Sequence, residues 1–192
     1  MTGIILAGGK SSRMGFNKAL IEVNGLKIIE RTVNLFKEIF DEIIIITNTP
    51  LEYERFDVKI ATDLIKDAGA LGGIYTGIFH AHSNHSFVAA CDMPFLDKDI
   101  ILKMLNIAVD SDAIVPFAND KFHPLHAVYS KNCLKPMEEA IKNNDLRINN
   151  LFQKIRIKKV EDIFIKESAL RSLCNVNTTE DLNEITKHPA TA

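Results

Sequence analysis

"GIILAGGKSSRMGFNK", residues 3–18, joins an apolar run to a loop rich in glycine and cations. From Leu6 to Lys18 that loop packs three glycines, two serines and three cations into thirteen residues. Gly3–Ala7 reads as a strand. A glycine-rich loop directly behind an N-terminal strand sits where ligand crevices open in α/β sheets, outside the carboxyl ends of the strands. The stretch therefore predicts an α/β protein that holds its ligand at the strand ends.

Further along, short β-branched runs alternate with stretches of helical period, the pattern of βαβ units on a largely parallel sheet. Candidate central strands are Gly3–Ala7, Glu42–Thr47, Val58–Ala61, Ser86–Cys91 and Ala113–Phe117. The run "EIIIIT", residues 42–47, is apolar on consecutive positions, which fits a strand covered on both faces. Ile29, Thr32, Val33, Phe36, Ile39 and Phe40 recur at helical spacing. Asn24-Gly25 between apolar flanks predicts a tight type I′ turn, a small hairpin inserted in the first crossover. "LGGIYTGIFHAH", residues 71–82, reads as a glycine-rich helix start, with further helices over Asp97–Val109 and Lys131–Asn143. Thr178 followed by Asp181 resembles a capping box opening a terminal helix. One domain is expected over residues 1–187, with 188–192 as a flexible tail.

The 192 residues are 46% hydrophobic, enough for a single domain with its own core. Lys+Arg 23 against Asp+Glu 25 leaves a net charge of -2, so no global field points to nucleic acid or an anionic membrane. Cys91, Cys133 and Cys174 are odd in number and in no C-x-x-C pair. They argue for a reducing compartment and against structural zinc, and read as core thiols. No apolar run reaches membrane-spanning length, so a cytoplasmic protein is expected. His80, His82 and His85 would point in different directions on a helix, and read as decoration of its solvated end rather than a metal site.

The opening loop matches neither common phosphate loop. A Walker loop fails because five residues separate Gly9 from Gly15 and Phe16 follows where lysine is needed; G-x-G-x-x-G fails at Lys10-Ser11. The chemistry still suits a polyphosphate. Gly8 and Gly9 let backbone amides approach a ligand closely, and Arg13 and Lys18 can neutralise phosphoryl oxygens.

"LAGGKSSRMGFNKAL" resembles the signature L-A-[AG]-G-x-[SG]-x-R-M-G-x-x-K of the molybdenum cofactor guanylyltransferases and their wider nucleotidyltransferase family. "TDLIKDAGALGGIYTGI" is similar to the family's D…GPLxGI segment, "AACDMPFL" to CDxPFL, "HPLHAVY" to (H)PLxAxY and "NVNTTEDL" to NVNTPEDL. The five motifs keep their order along most of the chain. Two departures stand out: Asn17 occupies a usually acidic position, and Ala70 replaces the proline of Gly-Pro-Leu.

The resemblance implies a single-domain, Rossmann-like, three-layer α/β/α nucleotidyltransferase fold with a mostly parallel central sheet. It implies transfer of GMP from GTP, with Mg²⁺ or Mn²⁺, to the terminal phosphate of molybdenum-molybdopterin, releasing pyrophosphate. The nucleophile is then an already ionised phosphate oxygen, so no protein base is needed and catalysis rests on positioning and charge neutralisation. Asp92, directly behind the strand "FVAAC", is the expected metal ligand and a catalytic residue with Arg13 and Lys18. The GTP contacts expected are Leu6, Ala7, Gly8, Gly9, Lys18, Asp63 and Asp92, with Asp63 accepting from guanine N1 and N2, together with Asn48 from its place at the end of the second strand and Gly73 at a helix start that can approach the nucleotide. His123, Arg147, Asn175 and Asn177 are expected on the molybdopterin side. Partners are GTP, the pterin and transient molybdoenzyme or chaperone contacts, for a monomer. Alternatives are another nucleotidyltransferase, such as a molybdopterin cytidylyltransferase or a sugar-phosphate enzyme, and a non-catalytic cofactor-binding module. A glycosyltransferase would want a second carboxylate two residues past Asp92, where Pro94 stands.

Overall fold

The computed structural model describes residues 1–8, 18–23, 25–107, 110–176 and 181. The chain opens with β1 (Thr2–Leu6), a hairpin of β2 (Glu22–Val23) and β3 (Leu26–Lys27), α1 (Ile28–Lys37), β4 (Glu42–Ile46), β5 (Lys59–Ala61), α2 (Gly69–His80) and β6 (His85–Ala90). It continues with α3 (Lys98–Leu105), β7 (Ala113–Ala118), β8 (Lys121–Phe122), β9 (His126–Ser130), α4 (Leu134–Lys142), α5 (Ile148–Leu151), β10 (Ile157–Val160) and α6 (Glu167–Arg171). Among the described residues the main sheet runs β10-β7-β9-β6-β1-β4-β5, with β8 on β7. β9 is antiparallel to β6 and β7, and β8 to β7; the remaining pairs are parallel.

Successive side chains of the central strands enter different cores, as consecutive apolar runs require. Ile5 and Ile45 pack with Val33, Phe36, Ile101, Met104 and Ala169, from α1, α3 and α6. Ile4, Leu6, Ile44 and Ile46 pack on the other face with Leu71, Ile74, Ile78, Met137 and Leu151, from α2, α4 and α5. Ile4, Ile5, Ile44 and Ile45 are fully buried, each contributing about 2–3 kcal/mol relative to exposure. The result is the three-layer α/β/α arrangement expected.

Local signals set most element ends. Asp97 Oδ1 accepts from Ile100 N at 3.0 Å, capping α3 where the sequence placed its start. α4 stops at Asn143, and Asn144 follows at φ 54, a left-handed stop. Val23 faces Leu26 across the hairpin and Gly25 adopts φ 79, as a type I′ turn demands. Asn24 and Val109 lie outside the described residues, as do Thr178 and, Asp181 apart, the expected terminal helix and tail.

The expectation for the thiols needs correction. Cys133 is buried, but Cys91 is half-buried and Cys174 is exposed. Cys174 follows α6 at the surface, so its neighbours in sequence gave it no core partner. β9, β10, α5 and α6 were not anticipated.

Candidate active site

The strand register builds one crevice. Leu6 is level with Ile46 and with Ala90, and Ile46 with Ala61. Bonds beyond the strand ends extend this order: Ala7 N to Ile46 O at 2.8 Å, Thr47 N to Ala61 O at 3.0 Å, and Cys91 N to Leu6 O at 3.0 Å. Ala7-Gly8, Thr47-Asn48, Thr62-Asp63 and Cys91-Asp92 therefore leave the sheet side by side at its carboxyl edge, where parallel α/β sheets bind ligands.

The β4–β5 side carries a preset polar pair. Asn48 Nδ2 donates to Asp63 Oδ2 at 2.8 Å, fixing the carboxylate's rotation. Leu64 N donates to Thr76 Oγ1 at 3.0 Å, tying the loop behind Asp63 to α2. The Tyr53 hydroxyl, buried in the turn after β4, lies 3.4 Å from the Ala7 carbonyl. α2 comes in close: a Cβ on Gly73 would stand 3.3 Å from Leu6 Cδ2 and 3.8 Å from Asp63 Oδ1, and one on Gly72 only 2.6 Å from Ala68 Cβ. Packing thus explains Gly72, while Gly73 borders the crevice.

Half-buried Asp92 sits at the end of β6 with its carboxylate turned by a distant segment. Asn175 Nδ2 donates to Asp92 Oδ1 at 3.1 Å, and Val176 N donates to Asp92 O at 2.8 Å. Val176 is fully buried with Ile21, Val23 and Ile28, and Phe95 packs against them. The Arg171 guanidinium lies 4.4 Å from the Phe95 ring centre. Among the described residues no group of three His, Cys, Asp or Glu side chains could cage a metal. A lone strand-end carboxylate does suit Mg²⁺, which keeps several waters and is completed by substrate phosphates. Asp92 fits that role.

The antiparallel β9 brings "HPL" to the same edge. Ala90 N donates to Leu125 O at 3.1 Å, setting the turn beside the end of β6. His123 N donates to Pro116 O at 2.9 Å, and its Nε2 is 3.3 Å from Ala118 O. Burial lowers the His123 pKa below its ordinary value, which favours the neutral ring. Arg147 is exposed at the start of α5. Phe152, just past α5, packs on Phe122 of the β7–β8 hairpin at 5.2 Å between ring centres, which keeps this segment on the hairpin side.

The structure thus brings Leu6, Ala7, Gly8, Asn48, Asp63, Gly73, Asp92, His123 and Asn175 to the carboxyl edge of the sheet, while Arg147 is an exposed residue at the start of α5. Gly9, Arg13, Asn17, Asn177 and the Lys18 side chain lie outside the described residues. Sequence reasoning missed Tyr53 and Thr76 as supports. A hydroxyl reaching a carbonyl 46 residues away leaves no local signal. His82, set aside as a metal ligand, places Nδ1 2.9 Å from Glu42 at the opposite edge of the sheet.

Residues 3–159 match the family model of the MobA-like NTP transferase domain. A Desulfosudis oleivorans protein named molybdenum cofactor guanylyltransferase is 35% identical over 188 residues, covering 96% of this chain and 93% of that one. The crystal structure of molybdopterin-guanine dinucleotide biosynthesis protein A from Archaeoglobus fulgidus is similar in fold, with TM-score 0.84 at 24% identity over 97% of each chain. A solved Aquifex aeolicus structure reaches TM-score 0.79 at 33% identity, over 93% of this chain and 94% of that one.

Proposed function

The chain belongs to the MobA-like NTP transferase family, and on that premise we propose that it transfers GMP from Mg-GTP to the terminal phosphate of molybdenum-molybdopterin. A phosphate oxygen of the pterin attacks the α-phosphorus of GTP. The new O–P bond forms as the bond to the β-phosphate oxygen breaks, and pyrophosphate leaves with that electron pair. The relative named molybdenum cofactor guanylyltransferase supports the choice of nucleotide and acceptor. The observation that carries it is the position of Asp92, at the end of β6 between the Asn48–Asp63 pair and the Asn175–His123 side.

Each half of the crevice has chemistry for one substrate. Asp63, rotationally fixed by Asn48, accepts from the N1 and N2 donors of guanine. Ala7 and Gly8 present backbone to the nucleoside, while Arg13 and Lys18 take the triphosphate. His123, Arg147 and Asn177 are the side chains proposed for the pterin, whereas the Asn175 amide is bonded to Asp92. Bound at Asp92, Mg²⁺ supplies charge neutralisation at the phosphates. The attacking phosphate is ionised at neutral pH, so the protein aligns and stabilises rather than abstracting a proton.

One chain carries every residue this mechanism uses, so a monomer suffices. Three free cysteines fit a reducing cytoplasm, and no helix among the described residues is long and apolar enough to cross a membrane.

Pyrophosphate release from GTP, Mg²⁺ and molybdopterin tests the role of Asp92. Asp92→Ala should release it at least about 100-fold more slowly; equal rates would remove Asp92 from the chemistry. Calorimetric titration with GTP, CTP, ATP and UTP tests the base, and tighter binding of CTP would replace the guanylyl assignment with a cytidylyl one.

A further inference from the structure

We propose that Asn175 is a positioning residue for the metal-binding carboxylate of Asp92, a role that rests on the Mg-nucleotide reading above. Position 175 was expected to face the pterin, yet its amide N–H is directed to Asp92 Oδ1 at 3.1 Å across 83 residues of sequence. This contact is built in. The next residue donates its backbone N–H to the Asp92 carbonyl at 2.8 Å, and its side chain is fully buried in the apolar cluster of Ile21, Val23 and Ile28. Main chain and side chain of Asp92 are thus clasped by consecutive residues of one segment.

The residue type suits the task. An asparagine amide orients a carboxylate without bringing a charge of its own. A lysine or arginine there would neutralise the ligand and repel the cation. Partners that orient a ligating carboxylate typically govern metal affinity by 10–100-fold. Asn175 therefore sets how strongly Mg²⁺ couples to the nucleotide, before any pterin binds.

The test is the gain in triphosphate affinity caused by Mg²⁺, measured calorimetrically without pterin, in EDTA and then in excess Mg²⁺. The nucleotide is whichever of the four triphosphates the wild type binds most tightly, so failure of the guanylyl assignment leaves the comparison intact. Asn175→Ala should shrink the gain by about tenfold or more, with affinity in EDTA and the melting temperature unchanged. Asn175→Gln, which keeps the donor on a longer arm, should lose less. An unchanged gain in a folded Asn175→Ala overturns the proposal. An equal loss of affinity in EDTA also overturns it, because the residue would then support the crevice as a whole. Asp92→Ala gives the reference: if it abolishes the gain while Asn175→Ala preserves it, only the positioning role fails.

Discussion

Asp63 offers a sharp test at the level of one side chain. A carboxylate accepts from both N1–H and the N2 amine of guanine, whereas an amide accepts once and donates once. In Asp63→Asn, with the amide oxygen kept toward Asn48, the new Nδ2 faces the base. It opposes the guanine amine but complements the 2-oxo group of xanthine. GTP should bind about 10–100-fold more weakly and XTP should become the preferred nucleotide; a variant that still favours GTP would show that Asp63 does not read the base. His126 is a second residue-scale case. It is fully buried, bonded through Nε2 to Ser172 Oγ at 3.3 Å, and packed edge-on against Phe87 and Phe164. Burial draws its pKa down to about 4. The unfolded chain binds a proton below about 6.5 that the folded chain refuses. The associated stability is fully present above that pH and falls as pH drops from about 6.5 towards 4, by up to about 3 kcal/mol. Urea unfolding from pH 7.5 to 4.5 should show this fall, and His126→Phe should show a smaller slope over the same window even if its plateau is lower. That Asp63 and Asp92 stand just past strand ends was legible in the sequence, from the strand-like runs Val58–Ala61 and Ser86–Cys91 before them. The Asn175–Asp92 contact was not, since only the completed fold brings those segments together.

At the level of elements, the consecutive apolar runs of β1, β4 and β6 announced buried central strands, and their neighbours on both faces bear that out. β10, "IKKV", places Lys158 and Lys159 at the exposed positions of an edge strand, a composition that wards off further pairing and gives little strand signal in the sequence. β9 was absorbed into a motif, and nothing local announces that it inserts antiparallel between β6 and β7. Helix packing gives the element-scale prediction. A Cβ on Gly77 would fall 2.6 Å from Ile4 Cγ2 and 2.9 Å from Ile4 Cδ1. Alanine normally favours a helix over glycine by about 1 kcal/mol, but overpacking a rigid core costs about 1–3 kcal/mol. Ile4 is fully buried on a central strand, so its side chain can shift only against a close-packed core. Gly77→Ala should therefore lower unfolding stability, and combining it with Ile4→Ala should cost less than the sum of the two single changes. A stabilised Gly77→Ala would mean that α2 stands further from β1 than this structure has it.

Across the whole molecule, the crevice divides along the sheet. β4 and β5 supply Asn48 and Asp63, while β7, β9 and the segment after α6 supply His123 and Asn175, with Asp92 of β6 at the seam. The α/β architecture was readable from alternating runs, but this division depends on strand order, which brings β9 and β10 back beside earlier strands. It implies that substrate affinities separate by position. Arg147 is the clearest probe: it is exposed, on the hairpin side, and in no ion pair with another described residue. A charge-assisted bond from its guanidinium to the pterin phosphate would contribute about 1.5 kcal/mol, roughly tenfold in affinity. Arg147→Ala should raise the KM for the pterin by about that factor while leaving the KM for GTP, the Mg²⁺ requirement and the melting temperature unchanged. Two-substrate steady-state kinetics separate the outcomes. An unchanged pterin KM would take Arg147 out of the acceptor half, and a raised GTP KM would show that the triphosphate reaches across the seam and that the two halves are one continuous site.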